Sequence, residues 1–567
     1  MAQIYSRLAP ALLPTTEFVL LLCTVAFVFL RSRRPSKAAW EERLEEKLGQ
    51  FSRRKRLAVF AVGASVIVIR ALLIPVIGIP QPRWNDEFSF LLAADTFAHG
   101  RTSNPTHPLW THFETLHVIQ RPTYMSMYAP GQGLVLALGQ KFGNPWIGQL
   151  LMTALMCSAL CWMLQAWVPP PWALYGGALS VLRLGILGYW VNTYWCASVS
   201  ALGGVLLVGA WPRIRRTMGL RDALLMAVGL VILANTRPFE GFVFSLPFLG
   251  AMLVWVLGRQ RPDMQLWLSR VALSMMIVLI AGAAATGYYY YRVTGSPLRM
   301  TYKVNRETYA MAPYFVWGRA RPQPEYRSAL MREFYQNEMA EFRQNSTFRG
   351  YLFRLGQKLL AWWQFYVGPL LTIPLLTVPC WARQRRMRLP LVLLAVTTIA
   401  IAVQTFMLPH YFAPALGVLY LFVVQGLRRL ARWFPLGRPL GRDIVRAIPV
   451  LVSAMVVFRV GAILAHVPME PAWYREPERS QVATRLRGMP GPQLVFVHFG
   501  PGADYGRDWV YNDADIDSAK IVWANDLGSR ANRELINYFH DRTLWLANVG
   551  GTHISVEPYL VGSSQGQ

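Results

Sequence analysis

Charge is scarce in this sequence, and acidic charge scarcer still. Only 15% of the 567 residues are charged, with 30 Asp or Glu against 57 Lys or Arg. Together with 54% hydrophobic residues and a mean hydropathy of +0.28, this excludes an ordinary soluble domain. Cysteine is nearly absent. Cys23, Cys157, Cys161, Cys196 and Cys380 all fall in or beside apolar segments, which excludes a disulfide framework and a CxxC metal site. No internal repeat is visible, which weighs against a transporter built from two related halves. The net charge of +27 would suit a nucleic-acid partner. Much of the excess, however, sits in short loops at 31–56, 211–221, 259–261, 383–388 and 428–432. That is the pattern of cytoplasmic loops in a membrane protein, so no nucleic-acid partner is expected.

What is present is a series of apolar runs near the length a helix needs to cross a bilayer. They lie at 11–30, 57–80, 146–168, 171–190, 195–212, 221–236, 239–257, 267–289, 358–380, 389–408, 411–430 and 446–466. A further run at 129–143 is too short to span. The first run carries Glu17 and is followed by basic residues, so it reads as a retained anchor. With the basic loops inside, the parity closes at about 12 transmembrane helices, with loops 81–128 and 290–357 and the last residues outside. The expected fold is an α-helical polytopic membrane protein in three parts. These are an anchor and basic loop (1–56), a transmembrane domain (57–466) and a small C-terminal α/β domain (467–567). Loop 290–357 is net positive although external, and so would meet anionic membrane lipids. Three ionisable residues interrupt the apolar runs. Structural roles are expected for Glu17 and Arg70, and Arg183 stays open.

In the tail, 493–499, 520–524 and 543–549 read as strands and 529–539 as a helix. The turn "GPGADYG" (500–506) misses the spacing of a dinucleotide loop. "DADIDS" (513–518) resembles a calcium loop, but Ser518 and Ala524 replace its glycine and its bidentate glutamate.

The stretch "RWNDEFSFLLAADTFAHG" (83–100) follows the second run. Asn85 is suited to cap a helix, and Asp86 and Glu87 suit its first turn. Phe88, Leu91, Leu92 and Phe97 would form an apolar face lying along the membrane surface. A carboxylate there could also take a proton from an approaching hydroxyl, and Asp86 would be ionised at neutral pH.

The order of a span, "DE", "LLAADTFAHGRTSNPTHP" and "YAPGQGLVLALGQKFGNPWIG" resembles the GT-C superfamily of membrane glycosyltransferases. The branch it is similar to contains protein O-mannosyltransferases, the lipid A aminoarabinose transferase and RgtA/B/C/D-like enzymes. "LPHYFAPALGVLYL" (408–421) strengthens the resemblance, which covers about residues 57–430. It implies a GT-C-like fold and transfer of a sugar from a polyprenyl-phosphate-linked donor to a glycan, lipid or protein acceptor. It also implies Asp86 as catalytic base, Glu87 as its partner, and a place in the bacterial inner membrane with the reaction on the periplasmic side. Where relatives carry a Lys-Pro-Pro run this chain has "PGQGL", with Lys141 as a distant substitute.

For the donor phosphate the first candidate is Arg237 in "NTRPFEG", since Arg binds phosphate in a fork. The alternative is a helix-end ion pair with Glu240. His410 and Tyr411 rank second, against interface anchoring. Arg299, Lys303 and Arg306 read as a solvated basic face. "YWVNTYW" (189–195) could stack on a sugar but reads first as an interfacial aromatic belt. Some members of the superfamily use a divalent metal ion. His99, His107, His112, His117 and Glu114 are the residues that raise one here, although their spacing matches no ligand motif. Besides a transporter, a non-catalytic protein that binds or assembles lipid-linked glycans would keep the fold and dispense with Asp86.

Overall fold

A computed structural model describes residues 12–31, 39–467, 477–500, 508–550 and 553–560. The "GPGADYG" turn, apart from Gly500, lies outside the described residues. The apolar runs are helical, as hydrocarbon requires, because a helix satisfies every backbone N–H and C=O within its own segment. Seven helices among the described residues are long and apolar enough to cross a membrane. They are Pro145–Leu164, Ala197–Thr217, Pro238–Leu257, Met264–Thr294, Arg385–Val403, Pro409–Leu430 and Leu440–Leu464. The chain is an integral multi-pass membrane protein.

The other five expected spans are short or interrupted. Leu220–Ala234 has 15 residues, and Lys55–Leu72 stops at Leu73 before a short turn. Runs 171–190 and 358–380 are each broken by a π-helical turn, Val181–Gly185 and Trp363–Val367. In the first run only Leu13–Ala26 reads as a shorter apolar helix. Pro130–Lys141, with 12 residues, is indeed too short to span.

Burial separates centre from rim. The apolar windows of Ala197–Thr217 and Pro409–Leu430 are 89% buried, against 17% for Met264–Thr294, which leaves its flanks for lipid. The two central helices approach closely because Gly204 offers no side chain: a Cβ there would lie 1.8 Å from the carbonyl oxygen of Pro414.

The C-terminal domain is a four-stranded sheet in the order Ile521–Asn525, Gln493–Phe499, Thr543–Gly550, His553–Pro558. The first three strands are parallel and the last is antiparallel. Gln493–Phe499 is central, which explains its continuous apolar stretch at 494–497. Helix Ser529–Tyr538 makes the crossover, while strand His553–Pro558 and helix Glu478–Arg487 had no sequence signal strong enough to predict them.

This domain packs on the first loop. Phe88 stacks on Tyr511 at 4.5 Å, and Asp95 accepts from the Ala514 amide at 2.7 Å. Helix Asn85–Ala98 therefore departs from expectation. Phe88 and Leu92 face the core of the C-terminal domain rather than a membrane surface, while Phe90 and Ala94 face the bundle. Asn85 is its first helical residue and not its cap.

Candidate active site

Helix Asn85–Ala98 begins where it does because Glu87 reaches back. Its Oε2 accepts the backbone amides of Arg83 and Trp84 at 2.9 and 3.0 Å. Its Oε1 accepts the Tyr194 amide at 3.0 Å, which ties the helix start to the segment 189–196. Glu87 is 1% exposed, and burial pushes its carboxyl up to about 7 against the pull of those three amides. It does not line the cavity onto which Asp86 opens.

One residue earlier, Asp86 points the other way, into a cavity. Tyr128 donates its hydroxyl to Asp86 Oδ1, and His117 Nδ1 stands 3.1 Å from the same oxygen. Since Oδ1 can only accept, Nδ1 carries the proton in this geometry. Burial would raise the Asp86 carboxyl. The charge and hydrogen bond of His117 and the hydroxyl of Tyr128 outweigh it and hold the group below its ordinary value. His117 takes a left-handed backbone conformation, with φ of 62°. It is fixed there because its carbonyl accepts both Ser89 Oγ, at 2.7 Å, and the Met127 amide, at 3.1 Å.

The sequence candidates gather on the same cavity: Arg237, His410 and Tyr411 line it together with Asp86. Arg237 precedes helix Pro238–Leu257 and lies 3.6 Å above the Tyr411 ring. Its Nη2 donates to Glu240 at 2.6 Å, so the expected ion pair and the cavity position occur together. Arg237 Nε is buried and has no hydrogen-bond partner among the described residues. His410 is buried in the turn Pro409–Ala415, with Nδ1 3.3 Å from the Tyr189 hydroxyl.

Several readings change. Arg306 is no solvated cation: it lines the cavity and grips Glu338 through Nη1 at 2.9 and 2.7 Å. Arg299 and Lys303 are the exposed ones, paired with Glu307. "YWVNTYW" is not an interfacial belt, since Tyr189, Trp190 and Trp195 are fully buried and Trp195 lines the cavity. Lys141 is exposed and does not line the cavity. His117, Tyr128 and Glu338 had no assigned role, although Tyr128 opens the Tyr-x-Pro-Gly segment and His117 belongs to the histidine-rich loop.

That loop does not assemble a metal centre. His99 contacts Asp95, His107 contacts Asp517, His112 contacts the Asn525 carbonyl, and His117 contacts Asp86. Among the described residues no three His, Cys, Asp or Glu side chains are placed to hold an ion. Next to Asp86 the donors are one histidine and one phenol, and Glu338 is engaged by Arg306, so this set does not suit a divalent cation.

No family model and no curated protein matches the sequence. Among solved structures, the chain is similar to the oligosaccharyltransferase of Archaeoglobus fulgidus in its apo form. The identity is 13% over 87% of this chain and 69% of that one, with a TM-score of 0.45. It is similar also to ArnT from Cupriavidus metallidurans bound to undecaprenyl phosphate, at 12% identity over 86% and 92% of the two chains and a TM-score of 0.48. The Archaeoglobus enzyme AglB, in complex with an inhibitory peptide and a dolichol-phosphate, matches at 13% identity over 88% and 70%, with a TM-score of 0.45.

Proposed function

We propose that this protein is a membrane glycosyltransferase. It moves a sugar from a polyprenyl-phosphate-linked donor to a hydroxyl on a glycan, lipid or protein acceptor at the periplasmic face of a bacterial inner membrane. The observation that carries this reading is the meeting on one cavity of a carboxylate held ionised and a guanidinium from a distant helix start. A base must be deprotonated before it can act, and Asp86 is held below its ordinary value by His117 and Tyr128.

In the proposed step, an Asp86 carboxylate oxygen takes the proton of the acceptor hydroxyl as that oxygen attacks the anomeric carbon. The bond from that carbon to the phosphate oxygen breaks, and the departing phosphate carries the electron pair away. Arg237 balances the charge that develops there, with its buried Nε as an unused donor. Attack opposite the leaving group inverts the anomeric centre. Trp195 and Tyr411 offer ring surfaces for the sugar, and the buried lining limits water as a competing acceptor. Glu87 supports the base by fixing the turn that carries it.

The test is complementation. Wild type and Asp86→Asn are expressed in a deletion strain, and cell-envelope glycans are compared by mass spectrometry. Wild type is expected to restore a sugar that the variant, produced at equal level, does not. Full restoration by Asp86→Asn would leave a lipid-linked-glycan binding or assembly role.

A further inference from the structure

A second cavity lies on the other side of the wall that bounds the first. The two sit at the same end of the bundle, because Tyr189 lines the second and its hydroxyl contacts His410, which lines the first. Its polar lining comes from Glu17, Arg183, Gln364 and Arg459. Leu13, Val452, Met455 and Val456 supply an apolar side from helices Leu12–Arg31 and Leu440–Leu464. Val452 and Met455 are buried here, on the inward face of a helix whose apolar window is only 22% buried, while Leu13 and Val456 are half-buried at the edge toward hydrocarbon.

Three features mark the cavity as built. Arg183 Nη1 pairs with Glu17 at 3.1 Å inside runs otherwise apolar, where a charged pair is costly and points to a polar task. Glu17 is anchored in turn by the Leu370 amide at 3.1 Å. Gly368, at φ of 60°, leaves the room it needs, since a Cβ there would stand 2.9 Å from Glu17 Oε2. Finally, two π-helical turns from separate segments point side chains into this one space: Val181–Gly185 presents Arg183, and Trp363–Val367 presents Gln364. Such turns cost hydrogen-bond geometry and recur at functional sites.

We propose that this cavity seats the phosphate headgroup of a net-anionic membrane lipid, distinct from any donor in the first cavity. The guanidinium of Arg183 and the amide of Gln364 face the phosphate, and the tails leave past Leu13 and Val456, the half-buried members of the apolar side. A free anion would gain nothing from that apolar side, whereas a lipid phosphate uses both. The phosphate could belong to a bulk anionic phospholipid or to a polyprenyl carrier.

The full chain in phosphatidylcholine nanodiscs is photolabelled with a diazirine-tailed phosphatidic acid, and crosslinked peptides are mapped by mass spectrometry. Label is expected on 440–464. It should fall about tenfold in Glu17→Gln/Arg183→Gln, the size of one lost charge-assisted contact. Gln364→Leu, which leaves the ion pair intact, should lower it several-fold, and Asp86→Asn should leave it unchanged. Competition by polyprenyl monophosphate or by phosphatidylglycerol identifies the source of the phosphate. Equal labelling by a phosphatidylcholine probe, competition by inorganic phosphate, or unchanged labelling in both lining variants would overturn the site. None of these readouts needs sugar transfer.

Discussion

Asp86 depends on residues that no local pattern ties to it. His117 and Tyr128 lie 31 and 42 positions downstream, yet both meet one carboxylate oxygen. Removing His117 removes the charge that holds the Asp86 carboxyl down. Its pKa then rises, and the ionised fraction at low pH falls. In His117→Gln the acid limb of the transfer rate is therefore expected to move to higher pH, with the plateau rate less affected. An acid limb at the same pH in both proteins would show that His117 does not tune the base. Arg237 makes a different prediction. Lys keeps the charge but loses the fork and the flat contact on Tyr411. Arg237→Lys should lower kcat about 10- to 100-fold, with a smaller change in KM, if the contact strengthens as the phosphate departs. Steady-state kinetics on a synthetic lipid-linked donor would separate the two parameters.

At the scale of elements, Glu87 clips the start of helix Asn85–Ala98 to segment 189–196, and that clip is pH-dependent. Its carboxyl is raised from 4.5 in the unfolded chain to about 7 in the folded one, so the folded state binds more protons between those values. Stability should therefore fall as pH rises from about 4.5 to about 7 and level off above. Glu87→Gln abolishes that slope. It also turns an NH2 group toward backbone donors, and so destabilises at every pH by about 1–3 kcal/mol. Thermal unfolding in detergent between pH 5 and 8 reads both effects.

The same helix holds the C-terminal domain through Phe88 on Tyr511. Phe88→Ala should cost about 3–5 kcal/mol at that junction. It should make the segment after 477 sensitive to protease while the bundle stays resistant.

For the whole molecule, the charge of the loops predicts an orientation. Positive-inside parity sends both 290–357 and the C-terminal domain to the side opposite the basic loops. Both are in contact with the first loop: Tyr309 donates to Glu114 at 3.0 Å, and Thr115 donates to Asp508 at 2.5 Å. All three segments must then share one side. In a cysteine-free background, Ala320→Cys and Ser529→Cys, both exposed positions, should react together with an impermeant thiol reagent from outside. Opposite labelling of the two would be incompatible with these contacts, and protection of both would invert the topology.

Length, apolar runs and basic loops determined by themselves that the chain is helical and multi-pass, because a bilayer admits few other solutions for an apolar backbone. The acidic pair and Arg237 were legible because they interrupt or end apolar runs, where charge is costly. The two π-helical turns and the burial of "YWVNTYW" were not legible, since hydropathy is blind to hydrogen-bond slippage and to which side of a helix meets protein. The partners of Asp86, and the turn of Arg306 inward onto Glu338, were decided by tertiary structure alone. Each joins segments far apart in the chain, and only the packing of loops over the bundle sets which carboxylate meets which cation.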